Sequence, residues 1–135
     1  MIEYRNRLDG VTPEHLRGFF VGWPAPPSPK KLLALLGNSV HRIVAMDTET
    51  GNIVGFIYAV GDGILAAYIP LVEVLPEYQH QGIGSELVRR ILEELEEYYM
   101  VDLCCDEELI AFYMRFGMTP VAGMVRRNYS RQSGR

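Results

Sequence analysis

The chain is poor in the features that would place it in a special class. It has only two cysteines, Cys104 and Cys105, and they are adjacent. Neighbouring positions suit neither an ordinary disulfide nor a zinc ligand set. They read as reduced thiols on opposite faces of one strand, and no metal is expected. No apolar run approaches the roughly 18–20 residues that span a bilayer. The opening Met1-Ile2-Glu3-Tyr4-Arg5 has no apolar core of a secretory signal. These absences predict a cytoplasmic protein with no membrane partner. Positive charge is not in excess either: 17 acidic residues face 13 basic ones, for a net charge of −4. General nucleic-acid binding, which needs a basic face, is therefore unsupported. There is no internal repeat and no low-complexity linker. A length of 135 residues fits one compact domain.

What charge there is lies unevenly. Arg126, Arg127, Arg131 and Arg135 fall in the last ten positions, which contain no acid. Residues 1–125 thus carry 9 basic against 17 acidic groups, a net of −8. Residues 1–128 are assigned to a single domain and 129–135 to a flexible basic tail.

Hydrophobic periodicity and punctuation predict the order of elements. Residues 2–8 form an opening strand. Thr12-Pro13-Glu14 starts a short helix that runs to about Phe20. The proline-rich stretch Trp23–Pro29 is a loop. A second helix covers Pro29–Leu36, capped by Ser28 and stopped at Gly37. Val40–Met46 and Ile53–Val60 are strands of a hairpin around Asp47–Asn52. After a turn at Gly61-Asp62-Gly63, the almost continuous apolar run Ile64–Leu75 predicts one central strand buried on both faces. In Gly84–Tyr99, residues Leu87, Val88, Ile91, Leu92, Leu95 and Tyr98 form a stripe at helical spacing. Met100–Cys105 is a strand, Glu107–Phe116 a helix ended by Gly117, and Thr119–Val125 a last strand. Hairpins followed by one strand–helix–strand crossover predict an α/β fold. Its sheet is mixed and mostly antiparallel, with six to seven strands and about four flanking helices.

The loop Leu75–Ser85 joins the long apolar strand to the clearest helix. A helix start leaves backbone N–H groups unpaired and carries partial positive charge. Gly82 and Gly84 allow an anion to approach without meeting a side chain. A diphosphate suits such a loop, although a plain glycine turn would look the same. A Walker loop is excluded because Ser85-Glu86 follows Gly84 where Lys-Ser/Thr is needed. A dinucleotide fingerprint is disfavoured because Leu87 stands where its third glycine belongs.

The remaining pattern, Gln79-x-x-Gly82-x-Gly84 preceded by Val74-Leu75-Pro76, resembles the GNAT family of N-acetyltransferases. Phe112-Tyr113-Met114-Arg115-Phe116-Gly117-Met118 is similar to that family's second signature, with a helix and a strand between the two motifs. The resemblance implies an enzyme that moves an acetyl group from acetyl-coenzyme A (acetyl-CoA) to a primary amine by direct attack, with no metal. The acceptor would be a small-molecule amine or a protein amino group. A non-catalytic acyl-CoA-binding or regulatory domain on the same fold is the alternative, and a homodimer is left open.

The resemblance also carries residue assignments. Val74 would bond the pantetheine arm, and Gln79, His80, Gln81, Gly82, Ile83, Gly84 and Ser85 would hold the diphosphate. Ile83 can at the same time be a core residue. Tyr113 would stand beside the thioester sulfur: a phenol at about 10 can protonate or hydrogen-bond a departing thiolate whose acid is near about 8.5. The plainer reading of Tyr113 is an aromatic that closes the core against Phe116. Glu73 is the only charge between Asp62 and Glu77. It is either a general base or a structural carboxylate bonded to backbone or an arginine, and Asp102 is a second candidate base. Asp106 replaces the asparagine that many members carry seven residues before the tyrosine, which changes the character of that contact. Trp23 and Tyr68, with Phe19 and Phe20, are candidate walls of the acceptor site.

Overall fold

A computed structural model describes all residues, 1–135. Its α/β sheet has six strands in the order β1-β2-β3-β4-β6, with β5 also paired to β3. The strands are β1 (Ile2–Arg5), β2 (His41–Asp47), β3 (Ile53–Gly61), β4 (Ala66–Ile69), β5 (Val72–Val74) and β6 (Met100–Leu103). All pairings are antiparallel except β4 with β6. Three α-helices flank the sheet: α1 (Pro29–Asn38), α2 (Ile83–Glu94) and α3 (Ile110–Met114).

The strand that is buried continuously is β3, from Ile53 to Ala59, and not the run Ile64–Leu75. Two helical layers enclose β3. Ile57 and Ala59 face a core completed by Leu87, Val88, Ile91 and Leu95 around α2, and by Tyr113 of α3. Phe56 and Tyr58 face the opposite core, with Leu32 and Leu36 of α1 and Leu16. Alternation along a strand is what sends neighbouring residues into the two cores. A side chain at Gly55 would come within 3.1 Å of Leu87 Cδ1 and 3.3 Å of Ile83 Cγ2, so this glycine sets how closely α2 lies on the sheet.

The apolar run 64–75 is broken into pieces. Ile64 and Leu65 sit exposed in a turn built by Asp62, whose Oδ1 accepts the N–H groups of Ile64, Leu65 and Ala66. The rest forms β4 and β5, separated by Pro70 and Leu71. On β3 the partners Ile57 and Val60 are three residues apart, whereas their counterparts Val72 and Tyr68 are four apart. One residue is therefore extra, as an irregularity at a proline in this stretch predicts.

Other boundaries also differ from the sequence expectation. The helix expected to reach Phe20 is a single 3-10 turn, Pro13–Leu16, because glycines at 18 and 22 adopt left-handed backbone. Ser28 caps α1 by accepting the Lys31 N–H at 3.2 Å, but the helix passes through Gly37 to Asn38. The helix expected to reach Tyr99 ends at Glu94, within the acidic stretch of Glu93, Glu94, Glu96 and Glu97 that opposes its dipole. β6 ends at Leu103, so Cys104 and Cys105 lie beyond it and not on two faces of a strand. The last expected helix is a 3-10 turn, Glu107–Leu109, followed by the short α3. Thr119–Val125 forms no strand at all. The segment reserved as a tail has a 3-10 turn, Tyr129–Arg131, and its Gln132 Oε1 accepts the Ala25 N–H at 2.8 Å.

One polar tie braces the region that carries the phosphate-loop motif. A 3-10 turn, Pro76–Tyr78, follows β5. The Tyr78 hydroxyl donates to Asp47 Oδ2 at 2.7 Å, while Asp47 Oδ1 accepts the Glu49 N–H at 2.9 Å. The Tyr78 bond, then the backbone bond, holds the Asp47 carboxyl below its usual value of 3.8. A lowered carboxyl pKa contributes stability that is complete above the unfolded value and lost as pH falls through the folded one. Asp47→Asn is therefore expected to melt below the parent at pH 7, and the gap in melting temperature should narrow as pH falls below 3.8. A gap that stays constant between pH 7 and pH 3 would show that the tie contributes nothing through its charge.

Candidate active site

The extra residue at Pro70 opens the sheet. β6 pairs with β4 only, so β5 has no strand on its other side. The result is a cleft of about 320 Å³, lined on one wall by Ile69–Val72 and on the other by Leu103–Asp106. Leu109, Tyr113 and Arg127 complete it. Its lining is mostly apolar with a few polar groups, the ordinary make-up of a small-molecule site.

Past the cleft wall, the end of β5 and the loop after it offer main-chain donors. Leu75 N–H bonds the Val54 carbonyl at 2.8 Å. Successive strand residues point to opposite sides, so the Val74 N–H and C=O point away from β3 and into the opening. The Val74 carbonyl is taken by the Gln79 side chain, whose Nε2 donates at 3.0 Å. Only the Val74 N–H is left to face a ligand. The Gln79 N–H bonds Pro76 O at 3.3 Å, so the free run of amides starts after it. Gln79 thus braces the loop from within, a role the motif alone does not reveal.

From His80 to Ser85 no backbone N–H finds a carbonyl or side-chain partner, and the first satisfied amide of α2 is Glu86, on the Gly82 carbonyl at 3.1 Å. His80 and Gly82 both have left-handed backbone, with φ of 64° and 83°. That alternation turns successive amides toward one side and makes an anion-binding concavity. A side chain at Gly82 would meet nothing within 4 Å and one at Gly84 only Val74 Cγ2 at 3.9 Å. The space over these glycines is left free by the protein itself. Ile83 is buried in the core, so one residue anchors the helix and presents an amide. Behind the loop, Glu86 is bonded first by Arg89 and then by Arg90, which hold its carboxyl at about 2. Its charge is thereby answered by two guanidinium groups and not left to repel an anion.

Tyr113 lines the cleft and is 7% exposed. Burial, with a smaller contribution from the Cys105 thiol, pushes its phenol above the ordinary value. The hydroxyl is therefore a proton donor across the neutral range. Phe112 packs edge-on against Tyr113 at 4.9 Å, and Tyr113 lines the cleft.

Glu73 does not stand free. Its Oε1 accepts the Phe20 N–H at 2.9 Å and its Oε2 the Val21 N–H at 3.3 Å. Phe20 is a non-glycine residue with φ of 62°, and such a conformation persists only where its surroundings hold it. Glu73 is what holds it. Trp23 packs on the Phe20 ring at 4.8 Å, so the carboxylate shapes the aromatic edge of the loop before α1. Phe19 and Phe20 are buried and pack against Phe56. Tyr68 is half-buried, and its phenol is raised chiefly by a hydrogen bond with the Cys104 thiol. Asp102 is exposed on β6 and does not line the cleft, whereas Asp106 does. Sequence reasoning did not assign Cys104, Cys105 and Arg127 to the site; only the end of β6 and the return of the C-terminal segment bring them there.

Comparisons with known proteins agree with this geometry. Residues 8–118 match the model of the acetyltransferase (GNAT) family. A Deinococcus radiodurans protein, crystallised as a candidate acetyltransferase, is 45% identical with a TM-score of 0.94, over 98% of this chain and 92% of that one. A GNAT-family protein of Streptococcus pneumoniae is 31% identical with a TM-score of 0.75, over 95% of this chain and 98% of that one. Among curated relatives, a Glycine max protein named a histone acetyltransferase is 32% identical over 72% of this chain and 46% of its own length. An uncharacterized N-acetyltransferase of Prochlorococcus marinus is 31% identical over 73% and 57%. The chain spans about half the length of these curated relatives.

The left-handed turn at Gly82 gives a direct check on the loop. Gly82→Ala should cost about 1–2 kcal/mol, since an L side chain is strained there. Calorimetry should then read a melting temperature lower by about 3–6 °C. An unchanged melting temperature would mean that the loop relaxes to another backbone conformation.

Proposed function

Because this chain belongs to the GNAT family of acetyltransferases, we propose that it transfers an acetyl group from acetyl-CoA to a primary amine. The observation that carries the reading is the run of unpartnered amides from His80 to Ser85 at the start of α2, reached from β5, whose Val72 lines the cleft with the buried Tyr113. The amides fit a diphosphate, the Val74 N–H fits an amide carbonyl of an extended arm, and the apolar walls between them fit that arm.

When bound, acetyl-CoA supplies an activated acyl thioester. The protein's own contribution is positional and acid–base. Val74 and the loop amides fix the donor, and the walls Ile69–Val72 and Leu103–Asp106 exclude water. The amine nitrogen bonds to the acyl carbon, the carbon–sulfur bond breaks, and the amine proton leaves to solvent or a base. Tyr113 donates its phenolic proton, or a hydrogen bond, to the sulfur as it departs. Its raised pKa keeps that proton in place at neutral pH.

Glu73 serves as a positioning residue, because its oxygens already bind the Phe20 and Val21 amides. It holds the Phe20–Trp23 edge that would border the acceptor. The acceptor itself is a small-molecule amine or a protein amino group.

Two substitutions test these roles by thiol release over a panel of amines. Tyr113→Phe should lower kcat by about 10²-fold, within the usual worth of a general acid, and change the KM for acetyl-CoA little. Tight acetyl-CoA binding with no turnover by the parent would point instead to a non-catalytic acyl-CoA-binding domain. Glu73→Gln should raise the KM for the amine and leave the acid limb of the pH–rate profile where it was. Loss of that limb, with kcat down by about 10²-fold or more, would make Glu73 the base and end the positioning assignment.

A further inference from the structure

The acetyl-transfer scheme leaves two thiols of the cleft unused. Cys104 and Cys105 follow the last residue of β6, and both are exposed and free of disulfide bonds. Both line the cleft together with Tyr113. Their surroundings differ. The Tyr68 phenol is hydrogen-bonded with the Cys104 thiol. Cys105 lies close enough to Tyr113 for its charge to push that phenol up. The Tyr113 side chain is 7% exposed, and its hydroxyl has no hydrogen-bond partner within the chain. It is still open to the cleft, since no fully enclosed side-chain oxygen in this protein lacks a partner. A nearly buried hydroxyl left free beside a cleft marks a place where a ligand atom completes its bonding.

This inference rests on the acetyl-transfer reading, in which that ligand atom is the sulfur of coenzyme A. The Cys105 thiol then stands beside a second sulfur. Two thiols do not join unless an oxidant takes up two electrons. When CoA enters as its own disulfide, the oxidised partner is supplied by the ligand. We propose that Cys105 is a modification site for CoA: a CoA disulfide bound in the cleft exchanges with this thiol and leaves Cys105 joined to CoA. The Cys105 thiolate attacks the sulfur held beside Tyr113, and the S–S bond of the ligand breaks. The other CoA departs as a thiolate and takes up the proton that Cys105 released. One disulfide is exchanged for another, and no further oxidant is needed.

Cys104 is badly placed to undo the bond. Release by the neighbouring thiol would require a Cys104–Cys105 disulfide. Consecutive Cα atoms are about 3.8 Å apart, short of the roughly 4.4–6.8 Å that disulfides span. The mixed disulfide therefore persists until an external thiol reduces it, and acetyl transfer is off while the cleft is filled. Selectivity comes from the groups that would hold acetyl-CoA, the amides from His80 to Ser85 on the diphosphate and the Val74 N–H on the arm. Glutathione disulfide has the same reactive bond but no diphosphate, so it gains nothing from that loop.

Intact-mass spectrometry of the full chain after incubation with CoA disulfide should show the gain of one CoA less two hydrogens. Peptide mapping should put the gain on Cys105. It should form at least about 10-fold faster than the adduct with glutathione disulfide at equal concentration, since binding presents the reactive bond to the thiol. Acetyl-CoA should slow it. Acetyl transfer should fall as the adduct forms and return with dithiothreitol. Cys105→Ser should keep its own starting activity through the same treatment, whereas Cys104→Ser should lose its activity as the parent does. An adduct on Cys104, or a loss of two hydrogens in place of the gain, would overturn the proposal. So would equal rates with glutathione disulfide and no protection by acetyl-CoA. The melting temperature with acetyl-CoA separates two failures. No adduct on a chain that acetyl-CoA stabilises overturns this site and leaves the acetyl-transfer reading standing; no adduct and no stabilisation removes both.

Discussion

The site depends on one residue too many between β4 and β5. Pro70 cannot donate to a ladder, and the extra residue there means the strand cannot stay in register with β3 on both sides of it. The chain responds by bending. β5 follows β3, β4 turns toward β6, and the two strands part. Without that irregularity β6 would run alongside a single long strand, and the opening that Val72, Leu103 and Tyr113 line would be filled by backbone hydrogen bonds.

Packing on the other side converts the opening into a binding geometry. Gly55 allows Ile83 and Leu87 to press onto β3, which puts the start of α2 against the end of β5. The helix start then carries its unpaired amides beside β5. Gln79, bonded to the Val74 carbonyl, and Tyr78, bonded to Asp47, keep the intervening turn from collapsing onto those amides. The polar groups of the loop are thus used internally wherever they do not face the anion position. Glu73 does a similar service for the loop before α1, by spending both oxygens on a left-handed turn at Phe20. A carboxylate that the sequence leaves as either a base or a structural group is bonded in the fold to two backbone amides.

Local chemistry explains which parts of the architecture were legible. The α2 stripe, the Ser28 cap, the β2–β3 hairpin and the glycine-bearing loop are all encoded within a few residues of where they act. The glycine-bearing loop therefore stands at the start of α2 as expected, and the break at Pro70 was foreshadowed by a missing donor. The errors share a cause as well. Hydrophobicity suggested that Ile64–Leu75 was the central strand, but Ile64 and Leu65 are apolar residues in an exposed turn, while β3 is the strand that both helical layers cover. Thr119–Val125 has the composition of a strand, yet no edge in its own chain accepts it. Whether an apolar segment is buried depends on what lies opposite, and that is not a local property.

What the sequence by itself determined is a local arrangement: a strand end, two glycines at a helix start and a tyrosine one helix and one strand later. Each follows from short-range constraints on φ, on unpaired amides and on periodicity. Only the tertiary structure decided the rest. It showed that the Gln79 amide is used inside the loop and that Glu73 is bonded to a loop more than fifty residues away. It also brought Cys104, Cys105 and Arg127 to the cleft. Those facts depend on contacts between distant segments, whose geometry is set by how two helical layers close on one twisted sheet.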